Sequence, residues 1–167
     1  MKKFGFGCLI FFIIDLMIFI IIIGILFFGF SNYSDKILRS LGKPLSQEVY
    51  TDGDFQDFTD YGIYRYDNID FYSNKHFKPI TEDDKKEILT YIDNFEGWID
   101  SIKNNTPEAE IVVHYKFDRS IIDENDYFYI DDKSNYEELY KDHKYANYDV
   151  YFFDVDQQIL YFFHNNI

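Results

Sequence analysis

Between Thr81 and Ile102 the chain reads TEDDKKEILTYIDNFEGWIDSI, and this stretch decides what kind of domain surrounds it. Ile88, Ile92, Phe95, Ile99 and Ile102 recur at steps of four, three, four and three. That is the spacing of one face of an α-helix, and such a face belongs in a core. Thr81 offers an N-cap hydroxyl, and Glu82, Asp83 and Asp84 set carboxylates at the positive end of the helix dipole. Gly97 interrupts the pattern at a cost of about 1 kcal/mol relative to alanine, so the helix is expected to loosen or end there. Asn104 to Pro107 stops it in any case.

On both sides of this helix the pattern changes to that of strands. Tyr61 to Phe71 carries Ile63, Tyr64, Tyr66, Ile69 and Phe71 between Gly and Asn residues, which suits a strand. Glu110 to Phe117 alternates, with Ile111, Val113, Tyr115 and Phe117 on one face, and predicts a half-buried strand. Tyr127 to Ile130 is a further short strand. Tyr148 to Asp154 and Gln158 to His164 are aromatic runs joined by Val155 to Gln157, the pattern of an antiparallel hairpin. Leu45 to Asp60 is mixed and acidic and reads as a connection with one helical turn, and Asn135 to Asn147 as a polar connection. Together these elements predict an α+β domain in which one long helix packs on an antiparallel sheet of about five strands.

The start of the chain is of another kind. Cys8 to Phe30 holds 18 Ile, Leu and Phe residues and one charge, Asp15. As a helix this run reaches roughly 34 Å, enough to cross a hydrocarbon core of about 30 Å. A carboxylate near the bilayer centre costs about 2.5 to 3.5 kcal/mol, whereas 18 residues contributing about 0.3 to 0.6 each give roughly 5 to 11 in favour. Insertion wins. A cleaved secretory signal is the competing interpretation, since Lys2 and Lys3 precede the run and Gly29 and Ser31 offer small residues. The run exceeds a signal's usual apolar length of about 7 to 15 residues, and Phe28 and Phe30 crowd the site, so an uncleaved anchor is expected. Cys8, the single cysteine, precedes the run and cannot form an internal disulfide. Residues 1–30 are thus expected to be a tail and transmembrane helix, 31–60 a juxtamembrane connection and 61–167 the acidic domain. Within that connection, Tyr33 to Leu41 predicts a short helix ended by Gly42 and Pro44.

From Ser31 onward the chain has 14 basic and 29 acidic residues, a formal charge of −15. Nucleic acid is excluded as an expected partner, and a basic protein surface is favoured instead. The short basic tail argues for a cytoplasmic N-terminus and an extracytoplasmic C-terminal domain, although Lys36, Arg39 and Lys43 follow the span closely. A composition with two alanines and three arginines among many Phe, Tyr, Ile, Asn and Lys residues is that of AT-rich coding sequence.

Phe95-Glu96-Gly97-Trp98, Asp126-Tyr127-Phe128-Tyr129-Ile130 and the block from Asp149 to Ile167 resemble those of a family of small membrane-anchored proteins of low-GC bacteria. The resemblance covers most of the domain and implies no function.

The candidate sites are few. Tyr127 and Tyr129 share one strand face, so if Phe128 and Ile130 turn to the core, the two rings form a candidate binding patch. Asp15 is a candidate intramembrane contact to a polar residue of a partner helix; a tolerated, protonated acid is the alternative. Asp52-Gly53-Asp54 and Asp154-Val155-Asp156 suggest calcium but lack the ligand loop, and acidic turns explain them equally well. His76, His114, His143 and His164 have no metal-ligand spacing, and no cofactor is expected. No nucleophile motif is present. The expected function is a membrane-tethered binding or interaction module of unknown ligand, with an envelope or immunity-type protein as one concrete form. The alternative is a small envelope hydrolase using carboxylates with His114 or His164 as acid and base.

Overall fold

The computed structural model describes Met17 and residues 35–53, 57–135 and 145–166. The chain divides into two units, Met1–Ser40 and Leu41–Ile167. In the first, Lys36–Ser40 forms a short helix, α1, within the segment where a juxtamembrane helix was expected. Asp35 opens it by accepting the Ile37 N–H on Oδ1 at 2.8 Å. Apart from Met17, the apolar run Cys8 to Phe30 lies outside the described residues. Among the described residues no helix is long and apolar enough to cross a membrane.

The second unit is an α+β arrangement of six antiparallel strands and one long helix. The strands are β1 (Ser46–Gly53), β2 (Phe58–Arg65), β3 (Lys78–Pro79), β4 (Tyr127–Asp132), β5 (Asn147–Asp154) and β6 (Ile159–Asn166). Their spatial order is β1-β2-β6-β5-β4-β3. The long helix, α2, runs from Glu82 to Asn105. Its start is the one the sequence predicts. The Asp84 N–H donates to Thr81 Oγ1 at 3.3 Å, and the Thr81 N–H donates to Asp84 Oδ2 at 3.0 Å. This reciprocal capping box satisfies two backbone donors that the first turn would leave unpaired.

Ile88, Ile92, Phe95 and Ile99 are buried against the sheet, with Tyr91 beside them. Gly97 does not end the helix. It lies on the open side, with nothing within 4 Å of where a side chain would start, while Phe95 and Ile99 hold the opposite face in the core. Packing of that face outweighs the local cost of one glycine.

The hairpin of β5 and β6 forms as expected, with a turn at residues 155–158. All eight residues of β5 are buried. Tyr148, Val150 and Phe152 face α2, whereas Tyr151 and Phe153 face a second layer built by residues 66–77. There Phe71 meets Phe153 edge-on at 4.8 Å, and Phe77 meets Tyr151 at 6.4 Å. A strand covered on both faces loses its polar alternation, and here Tyr148, Val150 and Phe152 fill one face while Tyr151 and Phe153 fill the other.

Three expectations are corrected. First, Leu45 to Asp60 is not a connection, because β1 and the start of β2 lie within it; β1 and the equally unexpected β3 bring the sheet to six strands once Glu110–Phe117 is taken from the expected five. β1 is an outer strand exposed on most of both faces, so it carries no apolar period to read. Gly53 ends it at φ +113°, where a Cβ would come within 2.2 Å of the Asp57 carbonyl oxygen.

Second, the strand expected over Tyr61 to Phe71 is shifted. β2 ends at Arg65, and the chain leaves the sheet so that Phe71 can cover its second face. Third, Glu110–His114 is a helical turn, α3, and not a strand. The Val112 and Val113 N–H groups donate to the Ala109 carbonyl at 3.0 and 3.1 Å. Ile111 and Tyr115 fit a spacing of two and a helical step of four alike; Val113 separates the cases, and it is 54 % exposed.

Candidate functional site

β3 is only two residues long, and it pairs with β4 through Lys78 opposite Phe128 and Pro79 opposite Tyr127. The Ile80 N–H donates to the Asp126 carbonyl at 3.0 Å, which fixes the alternation of this ladder. Residues 126 and 128 turn their backbone groups toward β3, and Pro79, with no N–H, occupies a position that needs none. By the same alternation the N–H and C=O of Ile130 point away from β5, beyond the end of β3. Among the described residues no group pairs with them.

A groove of about 480 Å³ lies along this open edge. It is lined by residues from both faces of β4, namely Phe128, Ile130 and Asp132 on the α2 side and Tyr129 and Asp131 on the other. Glu87 and Tyr91 of α2 form one wall, and His76 stands on the opposite side. A cavity that reaches both faces of one strand occupies the place of the next strand. It continues the lane that β3 begins.

The groove's polar groups are well organised. The Tyr91 hydroxyl donates to Asp132 Oδ2 at 2.8 Å. Burial, then the acceptor carboxylate of Asp132, raises the Tyr91 hydroxyl far above the usual phenol range, so it stays a donor. Asp132 also accepts the Ser134 N–H at 3.0 Å. Lys78 donates to Asp84 Oδ1 at 2.7 Å, and its ammonium lies 4.4 Å from the centre of the Phe128 ring. Hydrogen bonds from Lys78 and then Thr81 hold the Asp84 carboxyl below its ordinary value. Glu87 is exposed and has no ion-pair partner among the described residues. The free charge of this wall is therefore negative.

Tyr127 and Tyr129 do lie on the face opposite Phe128, but both are half-covered. Phe71 stacks on Tyr127 at 4.3 Å, and the His76 ring meets Tyr129 edge-on at 5.8 Å. The two rings thus belong largely to the second layer, with Tyr129 at the mouth of the groove. Asp15 lies outside the described residues. Ile130, Glu87 and Asp132, which do shape the groove, were not singled out from the sequence. Pro79 was the available signal, because proline in a strand marks a sheet edge.

A second cluster lies on β5 and β6. His164 Nδ1 is 2.5 Å from Asp149 Oδ1, and Lys133 Nζ is 2.6 Å from Asp149 Oδ2. Phe58 and Phe162 flank the imidazole, with ring centres at 4.7 and 6.2 Å. Burial pushes the Asp149 carboxyl up, but the His164 hydrogen bond and the charges of His164 and Lys133 outweigh it and hold the group below its ordinary value. His164 Nε2 is buried without a hydrogen-bond partner among the described residues. His114 is elsewhere, stacked on Tyr50 at 4.3 Å. Asp154 is used by its turn, accepting the Gln157 N–H at 2.8 Å. Among the described residues no group of three or more His, Cys, Asp or Glu is placed to hold a metal ion.

Comparison with known protein families, curated proteins and solved structures finds no match to this chain.

Proposed function

We propose that this chain is a membrane-tethered binding module, anchored by the helix of Cys8 to Phe30 and presenting an acidic domain, outside the cytoplasm, to a basic partner. The observation that carries the binding role is the groove beside β4, where backbone groups that pair with none of the described residues meet acidic side chains. The anchor rests on the uniform apolar run, and the basic partner on the formal charge of −15 from Ser31 onward. An envelope or immunity-type protein is one form of such a module, because that role needs only a tether and a complementary surface.

Asp149 and His164 favour a second reading, a small envelope hydrolase, since a carboxylate orienting an imidazole is a common acid–base pair. Its weakness is geometric. The nitrogen that would face a substrate, Nε2, is enclosed.

The test is a C-terminal tag with protease applied to intact cells and again after lysis, together with extraction of the membrane fraction by alkaline carbonate. The proposal expects digestion before lysis and release by detergent alone. Protection until lysis would reverse the topology, and release by carbonate would remove the anchor.

A further inference from the structure

Among the described residues, none pairs with β4 over most of the lane that β3 starts beside it. We infer that this lane receives an extended, basic peptide segment of a partner protein, which adds to β4 as a further strand; this rests on the binding-module reading and names its partner's chemistry. β4 continues past β3 from Tyr129 to Asp132, about 13 Å at about 3.3 Å per residue, which is room for about four residues of added strand. Ile130 offers one backbone donor and one acceptor to that strand, and a buried pair of this kind must be satisfied when water is displaced.

Side chains of an added strand alternate between two walls. Those directed at α2 meet Glu87 and the Tyr91–Asp132 pair, and those directed the other way meet Tyr129 and Asp131. The α2 wall carries the exposed Glu87 carboxylate beside Asp132, which selects for Lys or Arg on that side. The opposite outer strand, β1, is exposed along most of both faces, so a strand added there would bury little. A second copy of this chain is disfavoured, because β4 against β4 would bring Glu87 and Asp132 of both copies to one junction.

The experiment uses the full chain in an uncharged detergent. The probe is a fluorescent hexapeptide of alternating Lys and Val or Thr, compared with the same peptide N-methylated at alternate amides and with a Glu-for-Lys version. Saturable binding is expected for the cationic peptide, weakened about tenfold for each backbone hydrogen bond removed by N-methylation. The Glu version should not bind. Glu87→Lys, a change at an exposed helix position, should weaken the cationic peptide without altering the circular dichroism of the domain. Ile130→Pro should weaken it as well, because it deletes the outward N–H and leaves the β5 ladder intact.

Equal binding of the N-methylated peptide would overturn strand addition while leaving an acidic binding module in place. Dimerisation of the chain that Ile130→Pro abolishes, with no peptide bound, would give the lane to a second copy and overturn the proposal. Absence of both peptide binding and dimerisation would overturn it too. Protease accessibility in cells would then decide the fate of the tethered-module reading separately.

Discussion

Replacing Asp149 by alanine tests whether the cluster on β5 and β6 is structural. Asp149 and His164 are each 8 % exposed, and the carboxylate is the hydrogen-bond partner of His164 Nδ1. Its removal deletes a charge-assisted hydrogen bond and leaves the imidazole with neither nitrogen partnered, since Nε2 already has no partner among the described residues. Lys133 is less affected, because its side chain is 36 % exposed and can turn to water. Losses of this kind sum to about 3 kcal/mol. For a urea slope of about 1.5 kcal/mol/M the midpoint falls by about 2 M.

The assay is urea unfolding of the full chain in detergent, followed by the fluorescence of Trp98, the single tryptophan. Pairing the change with His164→Phe should recover most of the loss, because a phenyl ring between Phe58 and Phe162 needs no hydrogen-bond partner. The Asp149 carboxyl is held below its ordinary value in the folded state, so its stabilisation is present above the unfolded pKa of about 4 and is lost as pH falls through the folded value. The gap between wild type and Asp149→Ala should therefore be full at neutral pH and close in acid. A loss under about 1 kcal/mol at pH 7, or a double variant as weak as the single, would refute a structural pair.

Asp126 should act with the opposite sign. Burial, against hydrogen bonds from the Val155 and Asp123 N–H groups, pushes its carboxyl up to about 6. The folded state then holds this proton longer than the unfolded one, so stability declines as pH rises from about 4 to about 6. Asp126→Asn should gain on the wild type over that interval, read as urea midpoints at the two ends. Thr81→Ala removes the hydroxyl of the capping box and should cost about 1 kcal/mol in the same unfolding measurement. Ile111→Ala should cost about 2 to 5 kcal/mol, whereas Val113→Ala should stay within about 0.5. Equal costs at the two positions would restore the alternating strand in place of α3.

How much of this was legible in the sequence depended on whether one face of an element was buried and the other was not. α2 meets that condition, so its start and its buried positions could be read directly. β1 and β5 fail it in opposite ways, one exposed on most of both faces and the other covered on both. β5 was still found because its aromatic run is dense and its hairpin is short. In α3 the positions 111 and 115 suit two periods, and only the exposure of Val113 separates them.

The Asp149–His164 pair was hidden by register. A turn of residues 155–158 sets Asp154 opposite Ile159 and so Asp149 opposite His164. The expected three-residue turn sets Asp149 opposite Phe163 instead, and one residue of slip exchanges every partner. The groove was further from view, since it arises from the difference in length between β3 and β4, which no local pattern encodes.

The strand order has a kinetic consequence. β6 is the last of the six to be synthesised, yet it lies between β2 and β5 and is the sole bridge from the β1–β2 hairpin to the rest of the sheet. β2 pairs with it across roughly a hundred residues, Phe58 with Asn166 and Arg65 with Ile159. Until β6 emerges, one edge of β2 stays unpaired, and the growing chain must wait with that edge open. During this interval the open edge of β2 is exposed to association with other chains, a hazard that ends when β6 pairs with it.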